Sequence, residues 1–282
     1  MIIIRLKGGL GNQLFGYALG RALSSKGHTV FFDCVTGFER DYKYQRSFEL
    51  DWLIGKHEQV YFKNIFCRFF LFFIFKAVKF TRMFYIENES AKLDLNILNL
   101  KPGGIHYLDG YWFSEQYFKD ILPIIKWELK DKIEKNFSKM TAYTPKFDIV
   151  AVHIRIYNVT TIEDELDQYY EYLHKTLKKI GRNSQSKLMI FTNLPNEVRG
   201  LFSTNFPNSS FSKCSLLPIE DMIKISKYKY IIGSSSTYSW WSLLLSEMNN
   251  SKVCIPTVNI NHNEYKWGFK GLIPERWKCE AK

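Results

Sequence analysis

Cysteine is scarce in this 282-residue chain: five residues, at 34, 67, 214, 254 and 279, with no close pair. An odd count at such spacing argues against a disulfide framework, and without a C-x-x-C unit a zinc site has no ligands. No H-x-x-x-H pair and no G-x-S-x-G element occurs, so a helical zinc site and an α/β-hydrolase nucleophile are not expected. Long apolar runs are missing too. The run Phe69 to Phe75 has seven residues, where a bilayer span needs ~20. The opening Met-Ile-Ile-Ile-Arg-Leu-Lys has no basic region ahead of its apolar stretch and no cleavage site, so no signal peptide is expected and a cytoplasmic protein is.

Acids are the minority charge. Against 39 Lys and Arg stand 28 Asp and Glu, a formal balance of +11. Such an excess suits nucleic acid, an anionic membrane surface or a phosphorylated small substrate. No zinc finger, homeodomain or RNP-type motif is present, so nucleic acid is not expected as a partner. Hydrophobic residues make up 46% of the chain, enough for a large core and too many for a disordered class. The length suits two domains or one large α/β domain.

The pattern of elements favours two domains. Ile2 to Leu6 reads as a buried strand, Gly8-Gly9-Leu10-Gly11 as a break, and Leu14, Phe15, Ala18, Leu19 and Leu23 as a helix that Gly27 ends. Thr29 to Phe32 then gives a second strand, with Asp33 at its end. Ile105 to Leu108 is strand-like, and a helix is expected from near Ser114, disturbed at Pro123. The polar stretch 130–146 reads as a linker. A second series follows: a strand from Phe147 to Val152 running into His153-Ile154-Arg155, a helix over Leu166–Leu177, strands over Lys187–Phe191 and Tyr228–Ile232, a helix over Tyr238–Met248 and a last strand over Lys252–Ile255. The expectation is an α/β protein of two Rossmann-like domains, 1–145 and 146–282, facing an interdomain cleft. Residues 65–86 leave two readings open. The segment is either a buried core helix or, with basic residues at 63, 68, 76, 79 and 82, a peripheral membrane contact over 63–82.

Three segments carry candidate chemistry. The loop Gly8 to Gln13 sits between a strand and a helix, where bare backbone N–H groups favour an anion; a purely structural turn explains it equally well. His153 and Arg155 lie at a strand end, where ligands gather in open α/β sheets, and a guanidinium fork matches two phosphate oxygens. Ser234-Ser235-Ser236-Thr237 precedes a helix, and capping accounts for one hydroxyl rather than four. Trp240 and Trp241 read as core. The cluster Glu163-Asp164-Glu165 with Asp167 reads as the acidic first turn of a helix rather than a cation site. No D-x-D triplet is present, which removes the usual carboxylate site for a metal–nucleotide complex. Arg and helix dipoles holding a diphosphate fit what remains.

The stretch GGLGNQLFGYALGRAL, Gly8 to Leu23, resembles the start of bacterial α-1,2-fucosyltransferases of glycosyltransferase family 11. GYWFSEQYF, Gly110 to Phe118, resembles a second signature of that family, and SSSTYSWW, Ser234 to Trp241, a third. The resemblance implies a GT-B-type fold, a GDP-fucose donor bound mainly by the second domain, no cofactor and no metal. It also implies inverting transfer of L-fucose to the 2-hydroxyl of a galactoside-type glycan or lipid-linked glycan acceptor, in surface polysaccharide synthesis. The family's H-x-R-R-G-D-Y motif falls on His153 and Arg155, the expected catalytic pair. Gly9, Gly11, Asn12, Gln13, Ser234, Ser235, Ser236 and Thr237 are the expected donor-binding residues. After Arg155 the chain departs from the family, reading Ile156-Tyr157-Asn158, so the Asp of the motif is an Asn. Asp33, Asp164 and Asp167 are replacement candidates for a base. A transferase for another GDP-sugar, or a non-catalytic sugar- or lipid-binding protein, stays open beside the fucosyltransferase reading.

Overall fold

The structure is a computed structural model, and it describes residues 1–39, 41–60, 84–87, 93–101, 104–142, 144, 148–157, 159–255 and 273–277. The 63–82 segment, core or membrane-facing, therefore lies outside the described residues, as does Asn158. The chain divides into two compact units, with the partition of the described residues falling between Lys132 and Ile133.

In the first unit, strands β1 (Ile2–Arg5), β2 (Val30–Asp33), β3 (Gln59–Val60), β4 (Phe84–Ile86) and β5 (His106–Asp109) form one sheet. Its order is β3-β2-β1-β5-β4 and every pairing is parallel. A central parallel strand is covered on both faces, which is why β1 is an unbroken Ile2-Ile3-Ile4 run, each residue buried. Helix α1 (Leu10–Ser25) follows β1 and is buried over most of its surface, so it reads as nearly apolar all round rather than as a stripe. It packs close: a Cβ on Gly20 would stand 2.5 Å from the Phe32 ring, and one on Gly16 2.7 Å from Leu6. Gly27, at φ +88°, ends the helix in the left-handed region that side chains avoid.

The second unit repeats the scheme. Strands β6 (Val150–Ile154), β7 (Leu188–Thr192), β8 (Ser209–Phe211), β9 (Tyr230–Ile232) and β10 (Lys252–Cys254) are again all parallel, in the order β10-β9-β6-β7-β8. The core over β6 and β7 joins Val150, Val152, Ile154 and Ile190 to Leu166 and Leu173 of the helix Ile162–Lys179 and to Phe202. Trp240 and Trp241, as read from the sequence, are fully buried, and Trp240 packs edge-on against Trp277.

Several elements differ from the expectation. Ser114 opens not an α-helix but short 3-10 turns, its hydroxyl accepting from Gln116 N–H. The α-helix begins at Leu122, which places Pro123 in a first turn where a missing N–H costs little. That helix continues to Asn136, so the start of the expected linker is helical. Ile125, Leu129 and Ile133, four residues apart, are its buried stripe. Two helices, Pro195–Asn205 and Pro218–Ser226, and the strand β8 between them were not expected at all. Cys34 and Cys214 are free thiols, but Cys254 is disulfide-bonded, against the expectation from spacing. Spacing rules register only cysteines close in sequence; the partner of Cys254 lies outside the described residues.

Candidate functional site

In each sheet the chain turns from one side to the other beside the first strand of its series, and ligands of open α/β sheets gather at that switch, beyond the carboxyl ends of the strands. The switch falls between β6 and β9 in the second unit, and between β1 and β5 in the first.

At the second unit's switch, β6 ends in His153-Ile154-Arg155 and β9 runs through Gly233 into Ser234-Ser235-Ser236 and the helix α7 (Thr237–Glu247). Alternation along β6 sends Ile154 into the core and puts His153 and Arg155 on the other face together. His153 Nδ1 lies 2.6 Å from Ser239 Oγ and 3.1 Å from Ser234 Oγ. Ser239 Oγ accepts from Ser234 N–H at 2.8 Å, and Ser234 Oγ–H donates to Ser236 Oγ at 3.1 Å. Ser236 is the N-cap of α7, accepting from Ser239 N–H at 3.1 Å. All four groups are buried. Burial first, and the Arg155 charge second, push His153 down to about 3, so its ring is neutral at physiological pH. Ser235 is 4% exposed, and its hydroxyl has no hydrogen-bond partner among the described residues.

The segment after Arg155 is clamped from two sides. Asn193 accepts from Ile156 N–H and returns a bond to Ile156 C=O, both at 3.0 Å. Glu165 accepts from Tyr157 N–H at 3.1 Å and from the Thr161 hydroxyl. Arg155 itself is anchored by its backbone to Tyr169 Oη, and its guanidinium lies 5.6 Å from the Tyr157 ring centre. Of the acidic cluster, Glu165 is thus a buried strut, while Asp164 and Asp167 are exposed on the first turns of their helix. Among the described residues no group of three His, Cys, Asp or Glu could hold a metal ion.

The glycine loop belongs to the first unit. Gly8 adopts φ +73° and Gly9 is the N-cap of α1, with Asn12 folded back over Gly8. Gln13 is fully buried and spent internally: Nε2 donates to Gly8 C=O at 2.8 Å and Ser47 C=O at 2.9 Å, and Oε1 accepts from Glu49 N–H at 2.9 Å. Burial raises the Glu49 carboxyl pKa, against the opposing pull of Arg46 and of the Leu10 N–H at the start of the helix. Gly11 is buried in the helix.

Beyond the same strand ends stands a charged group that sequence reasoning missed. Asp109 receives Arg5 Nη1 and Lys7 Nζ, each at 2.8 Å. Burial opposes its charge, but Lys7 and Arg5 outweigh that and hold Asp109 below the ordinary Asp value. Glu87 accepts the N–H groups of Tyr111 at 2.5 Å and Trp112 at 3.1 Å, and burial raises its pKa. Trp112 is buried with φ +56°, so Glu87 holds a backbone turn that a bulky residue avoids. Charges at both ends of Arg5-Leu6-Lys7, after an apolar strand, were the available signal. Asp33 is no candidate base in this arrangement. It is fully buried and accepts from Val35 N–H, Thr36 N–H, Thr36 Oγ1 and Tyr107 Oη at 2.5–3.0 Å.

No family model matches the sequence. The chain is 25% identical, over an alignment of 302 positions, to an α-1,2-colitosyltransferase of Escherichia coli, covering 98% of both proteins. Among solved structures it is similar to NodZ α-1,6-fucosyltransferase soaked with GDP-fucose, at 15% identity and a TM-score of 0.44, over 86% of this chain and 92% of that one. The NodZ structure co-crystallized with GDP gives 14% identity and a TM-score of 0.43 over the same shares.

Proposed function

We propose that this protein is a glycosyltransferase that moves a deoxyhexose from a GDP-sugar to a glycan hydroxyl, with inversion and without a metal ion. The observation that carries the reading is the end of β6 and β9. There a guanidinium, a neutral imidazole, an uncommitted hydroxyl and the start of α7 converge, a set of donors suited to a diphosphate. The three family-11-like segments and the full-length similarity to a colitosyltransferase support the sugar-transfer reading over a binding protein. Two Rossmann-like parallel sheets in one chain fit a GT-B-type enzyme. L-Fucose delivered to the 2-hydroxyl of a galactoside is the first choice of reaction; colitose is the second, favoured by the relative's name.

In the reaction the acceptor hydroxyl attacks the anomeric carbon from the face opposite the diphosphate. The bond to the leaving oxygen breaks, GDP departs with the electron pair, and the acceptor hydroxyl's proton is released to water. Arg155 and the α7 donors stabilise the charge that grows on that oxygen, which lowers the barrier only in so far as they bind it better in the transition state. The test is a panel of GDP-fucose, GDP-colitose and GDP-mannose, assayed with purified full-length protein and simple β-galactosides without added metal. Product linkage is read by NMR. Transfer from none of them, with no release of GDP, would refute an enzymatic role with these donors.

A further inference from the structure

We infer that Asn193 is a positioning residue for Arg155. Its side-chain amide stands in for the next residue of β7, carries the alternation of β6 past the end of the strand, and so sets the Arg155 guanidinium beside the Tyr157 ring. That this guanidinium meets a diphosphate rests on the proposed GDP-sugar reading. That Asn193 places it does not.

The two strands part at a definite step. Their pairing ends with Ile154 opposite Thr192. After Thr192 the chain turns through Leu194 into the helix Pro195–Asn205, whose first residue has no N–H to give a neighbour. Strand pairing therefore stops, and the Asn193 side chain takes it over. Oδ1 accepts from Ile156 N–H and Nδ2 donates to Ile156 C=O, both at 3.0 Å. One donor and one acceptor are what a strand residue offers, and an amide carries both; partners of fixed polarity leave it a single orientation. The residues on either side are tied in the same manner. Tyr169 Oη accepts from Arg155 N–H at 3.2 Å and donates to Arg155 C=O at 3.3 Å, and Glu165 takes Tyr157 N–H at 3.1 Å. Three successive residues thus have their main chain held by side chains.

Held in this way, residues 154–157 keep the two-residue period of a strand. Ile154 and Ile156 both lie in the core, while Arg155 is half-buried and Tyr157 exposed. The guanidinium and the aromatic ring are neighbours in consequence, 5.6 Å from carbon to ring centre, within cation–π reach. A guanidinium fork serves an anion only when it is aimed, and its flexible stem does not aim it alone. Asn193 itself is exposed, so its removal opens no cavity in the core.

The experiment uses the full-length, 15N-labelled protein and reads the Arg155 Nε–H signal without ligand, assigned by its loss in Arg155→Lys. Tyr157→Leu gives the position of that signal when the ring current is gone. In Asn193→Ala the signal should move toward the Tyr157→Leu position. A signal indifferent to Tyr157→Leu, or unmoved in Asn193→Ala, overturns the inference. GDP titration in the same spectra then closes a double-mutant cycle. Asn193→Ala should weaken GDP binding about tenfold in the wild-type background and less than about twofold where Arg155→Ala is already present. Equal losses in both backgrounds would mean that Asn193 does not act through Arg155. Melting should stay close to wild type, since an exposed side chain is removed. Should the alanine variant melt early, the isosteric Asn193→Asp, which keeps the acceptor and loses the donor, carries both readouts in its place. The expected Nε–H shift with no GDP binding refutes the donor reading alone, while GDP binding without the shift refutes the inference alone.

Discussion

Neighbouring hydroxyls before α7 are expected to do different work, and two alanine substitutions separate them. Ser236 caps the helix and accepts from Ser234 Oγ–H as well as Ser239 N–H. Ser236→Ala removes the cap, worth about 1 kcal/mol, while the Ser234 hydroxyl keeps His153 Nδ1 and Ser239 Oγ within reach. A loss of about 1 kcal/mol lowers the melting temperature by roughly 2–4 °C. Ser235 has no such bonds and loses nothing internal, so Ser235→Ala should stay within about 0.5 kcal/mol of wild type. If its hydroxyl meets a phosphate oxygen, the same change removes a hydrogen bond to a charged group, worth about 1.5–3 kcal/mol, or roughly 10- to 100-fold in GDP affinity.

Scanning calorimetry of the three proteins, followed by GDP titration, reads both quantities on the same material. The expected pattern is crossed: Ser236→Ala is less stable, and Ser235→Ala is as stable as wild type but binds GDP poorly. Equal melting losses in both variants would refute the hydrogen-bond accounting. Unchanged GDP affinity in Ser235→Ala would remove its hydroxyl from the site.

Arg155→Lys should slow transfer ~10²-fold or more by losing the planar fork, while melting where wild type does; a near-normal rate takes Arg155 out of the mechanism. Transfer should survive excess chelator, and abolition with rescue by manganese would overturn a metal-independent reaction. Asp109 has a folded pKa below its unfolded one. Its pairing with Arg5 and Lys7 therefore contributes fully above the ordinary value of about 4 and fades as pH falls through the lower folded value. Urea unfolding of wild type and Asp109→Asn should show a gap at pH 7 that narrows by pH 3; a constant gap would mean the ion pairs are not its cause.

What was legible in the sequence follows from how far apart the interacting residues lie. The strands Ile2–Arg5 and Val150–Ile154 declare themselves because both faces are buried, so that all but Arg5 in the first and His153 in the second are apolar. Helix α7 does so because its cap, Ser236, and its core pair, Trp240 and Trp241, sit within six positions. The helices starting at Pro195 and Pro218 were missed although each has proline in its first turn, because their stripes, Val198 with Phe202 and Ile219 with Met222 and Ile223, are short. His153, Arg155 and the serine run were singled out by their expected place at strand ends, and that is where the structure puts them. Ser239 was not, since its role exists only once residues 86 positions apart in the chain are brought together. Asp33 looked available as a base for the same reason. Its partner Tyr107 lies 74 positions away.

The two strand–loop–helix turns look alike in sequence, and they differ in the groups set around them. Every helix start exposes backbone N–H groups and a partial positive charge that something must satisfy. At α1 the Glu49 carboxyl lies near Leu10 N–H with the Arg46 guanidinium close by, and Gln13 ties the segment that brings Glu49 there. Neither contact is visible in Gly8 to Gln13 alone, because Glu49 lies 36 positions from Gln13. At α7, among the described residues, the serines satisfy one another and Ser239 N–H without a carboxylate, and Arg155 adds a positive charge beside the same switch point. Among the described residues, one helix start thus has a half-buried carboxylate and the Arg46 guanidinium beside it, and the other buried serines and Arg155. On the proposed GDP-sugar reading, the second is the expected place for the diphosphate. Gln13, with all its bonds made internally, fixes the entry of α1, and Glu49→Gln should leave GDP affinity unchanged.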